Sequence, residues 1–215
     1  MFATRKRVIV ALTLAVGFAL VSGAAYLLKI PPFKKQEESS TIRATELCDS
    51  FGNPTLAVKT LNNVLPKEST YSFQETPGSR VDQSDATYDS SCFIRGDAKI
   101  VMSARTEMMR AESPKGWINA EVLDERGNIR EYESFPAGDK GMASPMRAAI
   151  FVPCTPKGQI PGGAYNLSVT VQLKQAGKSS KPESRAELTE LAMGAAKFAH
   201  QNARCGLPSK LPGKP

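Results

Sequence analysis

Residues 165–174, YNLSVTVQLK, set Tyr165, Leu167, Val169, Val171 and Leu173 against Asn166, Ser168, Thr170, Gln172 and Lys174. Strict alternation of apolar and polar side chains is the period of a strand, whose successive residues face opposite sides of a sheet. One face is dry and the other wet, which points to an antiparallel sheet covered on one side.

Downstream of this strand a basic, polar loop (QAGKSSKPESR, 175–185) leads into a helix. Ser184 and Glu187 have the spacing of a capping box, and Leu188, Leu191, Ala192, Ala195 and Ala199 share one face with Phe198 nearby. Gly206, just past Cys205, suits the helix end, and the Pro208- and Pro212-containing tail at 207–215 reads as loose. Upstream, Met146–Val152 is a strand candidate ended by Pro153. Trp117–Phe135 reads as a hairpin turning at Asp124-Glu125-Arg126-Gly127. Lys99–Met109 reads as a strand with Ile100, Met102 and Ala104 on one face. Cys92–Arg95 is a short apolar strand behind a polar loop at Gly78–Ser91, and Tyr71 and Phe73 alternate with Ser72 and Gln74. At the start of the folded part, Ala44–Phe51 is a short helical candidate broken at Gly52. Asn53 then caps a second helix with Pro54 at its first position, and Leu56, Leu61, Val64 and Leu65 form its stripe up to Pro66. Helices at both ends with strands between them give an α+β class: an antiparallel sheet packed by N-terminal and C-terminal helices.

The chain before this domain has a different character. Val8 to Leu28 is a run of 21 residues without a charge, preceded directly by Arg5, Lys6 and Arg7. At about 1.5 Å per residue it would cross a hydrocarbon core of about 30 Å. The expected organisation is a cytoplasmic N-terminus at 1–7, a transmembrane signal anchor at 8–28, a flexible tether at 29–43 and an extracytoplasmic domain at 44–206. A cleaved signal peptide is the competing reading: Val21-Ser22-Gly23 offers small residues before Ala24, although the apolar run continues past them. Basic residues are equal on the two sides of the span. Orientation therefore rests on the short, basic N-terminal flank and on the cysteines of the large domain.

Those cysteines are Cys48, Cys92, Cys154 and Cys205. No C-x-x-C pair is present, so zinc-ribbon and thioredoxin-like chemistry lacks its spacing. Two disulfides in an oxidising compartment are expected. Of the three possible connectivities, Cys48–Cys92 with Cys154–Cys205 is favoured, because each bridge would tie a terminal helix to a nearby strand without crossing the other.

Catalytic and cofactor chemistry is poorly supported. The one histidine, His200, sits at the edge of the last helix's stripe, and no G-x-S-x-G elbow accompanies it. Asp82, Asp85 and Asp89 lie in the polar loop without a calcium-loop pattern. Glu121, Asp124, Glu131 and Glu133 form no defined carboxylate pair. Gly177-Lys178-Ser179 lacks the first glycine of a P-loop, since position 172 is Gln172. No catalytic, cofactor-binding or metal residue is therefore assigned.

Charge is the one informative asymmetry. The formal charge is +7, but residues 1–35 carry six basic residues and no acid, which leaves the remaining 180 at +1. That argues against nucleic acid as a partner. Within the domain, residues 36–156 hold 13 basic and 18 acidic side chains, against 9 and 3 in 157–215. Lys174, Lys178, Lys181 and Arg185 surround one loop and are the candidates for contact with anionic lipid or an anionic wall polymer.

The layout is similar to that of uncharacterised secreted or membrane-anchored cell-envelope proteins of actinobacteria. The likeness rests on the charged N-terminus, single span and polar tether. It continues in an early helix bearing Glu46-Leu47-Cys48, a strand bearing Ser91-Cys92-Phe93, and a final helix ending in Ala203-Arg204-Cys205. The resemblance implies an envelope location and assigns no activity. The resulting expectation is a non-enzymatic binding or interaction module at the membrane, with an envelope protein or wall polymer as partner. The alternatives are an envelope hydrolase using carboxylates or a serine, and a passive assembly subunit.

Overall fold

The computed structural model describes residues 41–123 and 129–213. The expected span, most of the tether and the turn at 124–127 lie outside them. Among the described residues no helix is long and apolar enough to cross a membrane.

The domain is α+β. Its single sheet has seven strands: β1 (Tyr71–Thr76), β2 (Asp89–Gly96), β3 (Lys99–Arg110), β4 (Glu133–Phe135), β5 (Lys140–Ala143), β6 (Arg147–Ile160) and β7 (Gly163–Leu173). Their order is β1-β2-β3-β7-β6-β5-β4, with every neighbouring pair antiparallel. Helices α1 (Pro54–Val64) and α3 (Lys181–Asn202) cover one face. The alternation at 165–174 is what places them there. Leu167, Val169, Val171 and Leu173 are buried against Leu188, Leu191, Ala192, Ala195, Ala196 and Ala199 of α3 in one core. The run of alanines brings the α3 backbone close to the sheet, and burial of the larger partners supplies the gain, about 25 cal/mol per Å² of apolar surface.

Both disulfides tie chain ends to this sheet. Cys48 joins Cys92 of β2, and Cys154 of β6 joins Cys205 just past α3. The described residues contain no free cysteine. Two bridges suit an oxidising, extracytoplasmic compartment.

Several local expectations are corrected. The first helical candidate is two single 3-10 turns, Ala44–Glu46 and Asp49–Phe51, and the Glu75 carboxylate accepts from the Asp49 and Ser50 amides. Ile100 does not share a face with Met102. The β2–β3 register slips between Ile94 and Arg95, so Val101 and Met102 are both buried and Ile100 turns to the opposite face. The capping box of α3 is Ser180 with Glu183, one turn earlier than Ser184 with Glu187. At the other end Arg204, not Gly206, takes the left-handed position (φ 51°), and the Cys205 amide reaches back to the His200 carbonyl. β6 continues through Pro153. The Asp139 amide donates to the Phe151 carbonyl, so Phe151 and Pro153 both present their backbone toward β5, which pairs no further than Phe151. The tail is fastened: the Gly138 amide donates to the Lys210 carbonyl, Lys210 Nζ lies 2.7 Å from Asp139, and Leu211 packs on the core.

The largest departure is at 117–135. There is no hairpin beginning at Trp117. A short helix α2 (Pro114–Trp117), capped by Ser113, runs into a single π-turn at Ile118–Val122. This segment forms a roof on the sheet face opposite α1 and α3. Trp117, Val122, Met142, Ala149 and Phe151 make a second, smaller core beneath it.

Candidate functional site

A groove of about 550 Å³ opens beside the roof, on the face of the sheet that the helices leave uncovered. Strand register builds its floor in three rungs. Phe93, Ser103, Gln172 and Arg147 align across β2, β3, β7 and β6. Next come Ser91, Arg105, Thr170 and Ala149, then Asp89, Glu107, Ser168 and Phe151. The polar half of the alternating β7 sequence, Ser168, Thr170 and Gln172 followed by Lys174, therefore runs down the middle of the groove. Glu121 and Leu123 of the roof form one wall, and Phe93 and Ile100 lie toward the other side.

Trp117 pins the roof over the third rung. Its ring stacks on Phe151, with centroids 5.1 Å apart and planes 16° from parallel, and its Nε1 donates to Ser168 Oγ at 2.8 Å. Arg147 ties the roof from the first rung. Its Nη1 donates to the Val122 carbonyl at 2.8 Å, while its Nε is buried without a hydrogen-bond partner.

Five charged side chains line the groove: Arg105, Arg147 and Lys174 against Glu107 and Glu121. Among the described residues none of the five forms an ion pair with another. Arg105 instead lies 3.9 Å from Asp89 on the exposed strand edge, a solvated contact. Burial, followed by repulsion from Glu107 and Glu112, pushes the Glu121 carboxyl above its ordinary pKa, with Arg105 and Arg147 pulling the other way. A groove whose three cations form no ion pair with the acids that line it, over hydroxyl and amide groups, can bind an anionic, polar ligand by charge-assisted hydrogen bonds.

Of the four cations around the basic loop, only Lys174 lines this groove. Lys178 and Lys181 are exposed, and the loop carrying Lys178 crosses to the end of α1, where Ser179 Oγ donates to the Asn63 carbonyl. Arg185 pairs with Glu133 of β4. The acidic loop is occupied with its own backbone: Asp82 accepts from Ser84, and Asp85 from Val81 and Thr87. The loop is held down by Arg80, 6% exposed, which donates to the carbonyls of Gln83, Asp85 and Ala203 and to Thr155 Oγ1. His200 Nε2 lies 2.8 Å from the Leu207 carbonyl, and no described serine is hydrogen-bonded to the ring. No group of three or more metal-ligating side chains occurs among the described residues.

Sequence reading missed Arg105, Glu107, Glu121 and Arg147 as a set. The wet face of β7 was the available signal, but only the strand order shows which side chains flank it. Comparison with known protein families, characterised proteins and solved structures finds no match.

Proposed function

We propose that this chain is a membrane-anchored, extracytoplasmic binding protein of the cell envelope, held by residues 8–28, whose open sheet face takes an anionic partner such as a wall polymer. The observation that carries the reading is the groove in which Arg105, Arg147 and Lys174 face Ser168, Thr170 and Gln172 without acids bound to them inside it. The uncharged run at 8–28 and the two disulfides support the location.

The test compares two double variants of the full chain for retention on isolated envelope. Arg105→Ala with Lys174→Ala removes groove cations that do not hold the roof. Lys178→Glu with Lys181→Glu inverts the exposed loop. The groove pair should lose roughly tenfold or more in retention, about the worth of one or two charge-assisted contacts, while the loop pair changes it by less than about twofold. The opposite pattern would move the site to the loop.

A second reading, an envelope hydrolase, draws support from Glu107 and Glu121 sharing the groove, with burial raising the Glu121 carboxyl above its ordinary pKa. Glu121→Gln separates the two. Binding survives the change, whereas turnover that needs a carboxylic acid would fall by about a hundredfold or more.

A further inference from the structure

On the helix-covered side of the sheet, α1 and α3 line a second groove of about 610 Å³. Phe51, Ala57 and Leu191 are buried at its base, while Leu56, Met193 and Phe198 stand along its sides. Leu56 is one of four large hydrophobic residues left exposed among those described, at 41%. At this groove the turn at Asp49–Phe51 sits directly on the α3 backbone. A Cβ at Gly194 would come within 2.4 Å of the Phe51 carbonyl oxygen, and Gly52 takes the positive φ (76°) that turns the chain into α1. Pro212 and Gly213 also line the groove.

Its charges are unbalanced in a specific way. Lys197 is half-buried at the groove and has no ion pair or hydrogen bond among the described residues. Its helical neighbours at three and four residues are Met193, Gly194, His200 and Gln201, none of them an acid. Across the groove, α1 presents Leu56, Ala57 and Thr60. The one acid in the lining, Glu190, accepts a hydrogen bond from Thr60 Oγ1 at 2.9 Å and lies two helical turns from Lys197. An apolar trough with a single free cation among its described lining residues orients a ligand that is apolar along its length and anionic at one end. Its volume falls within the roughly 300–1,000 Å³ range of small-ligand pockets. We infer that this groove binds a long-chain fatty acid, with the acyl chain along Phe51, Leu56, Met193 and Phe198 and the carboxylate on Lys197. This site is independent of the sheet-face groove and of the partner proposed for it.

The test photolabels the full chain, in nanodiscs of zwitterionic lipid, with a diazirine-bearing palmitic acid and maps the label by peptide mass spectrometry. The label should fall in 51–60 and 190–201. Lys197→Glu should reduce it roughly tenfold, the loss of one charge-assisted contact. Leu56→Glu, at an exposed position of α1, should do the same. The corresponding fatty alcohol should label weakly. Label outside these segments, equal labelling by the alcohol, unchanged labelling of both variants, or cross-links joining two copies through α1 and α3 would each overturn the assignment.

Discussion

Replacing Ser168 with Ala removes one hydroxyl from the open sheet face, yet its main effect should be on the roof. Trp117 is fully buried, and its Nε1–H has Ser168 Oγ, 2.8 Å away, as its hydrogen-bond acceptor. Ser168→Ala leaves that donor buried without a partner, which costs about 1–3 kcal/mol. Trp117→Phe keeps an aromatic ring on Phe151 but loses the donor and part of the volume, for about 1–2 kcal/mol. In the double variant no unpaired donor remains, so its cost should be close to that of Trp117→Phe alone. The coupling between the two sites is then about 1 kcal/mol or more. Urea unfolding followed by far-UV circular dichroism measures all four proteins. Because Trp117 is the only tryptophan, its emission reports the roof separately in the unsubstituted protein and in Ser168→Ala. A Ser168→Ala cost within about 0.3 kcal/mol of zero, or strict additivity in the double variant, would show that the indole is not held as described.

Three further outcomes follow from other parts of the fold. Ala98 holds a left-handed conformation (φ 69°) in the β2–β3 turn, so Ala98→Gly should raise stability by about 1 kcal/mol and Ala98→Val should lower it, as read from urea midpoints. The Cys154–Cys205 bridge closes a loop of 51 residues, and the paired substitution Cys154→Ala with Cys205→Ala should cost about 4 kcal/mol by the same assay. Two carboxylates should shape the pH profile of stability in opposite senses. Hydrogen bonds from the Ser69 and Thr70 amides hold the Asp97 carboxyl below its ordinary pKa. Its contribution is present above the unfolded carboxylate range and lost as pH falls, and Asp97→Asn should flatten the acid limb of the stability profile. Glu121, raised by burial, contributes in the opposite sense. Its stabilisation is complete below the unfolded carboxylate pKa and is lost as pH rises through the folded value, so Glu121→Gln should stabilise the roof at neutral pH.

Where local signals agreed, the fold was legible. The alternation at 165–174, the Asn53–Pro54 start of α1, and the Leu188 to Ala199 stripe each specify one element that stands where the sequence places it, although the face of β7 read as wet is buried at Asn166 and Ser168. The segment from Trp117 was misread because Trp117 and Val122 are five residues apart, a spacing that fits a π-turn and neither strand nor α-helix period. Two Ser-x-x-Glu patterns overlap at 180–187, and Pro182, which fits only the first turn of a helix, favours the earlier one. The bulge at Val101 adds one residue to β3 and reverses Ile100, a slip that no composition marks. The sheet-face groove draws Arg105, Arg147 and Glu121 from three separate elements, so its charges could be counted in the sequence but not assembled. The pairing of Arg185 with Glu133 was hidden for the same reason.

The central claim is that a disulfide-bonded domain is displayed outside the membrane by the apolar leader. The direct measurement treats intact, unreduced cells with a membrane-impermeant maleimide and an external protease, then fractionates them. The expected result is a membrane-fraction protein with no alkylated cysteine until reductant is added, and with residues 44–206 within reach of the protease. A soluble protein with four reactive thiols, digested only after lysis, would contradict it.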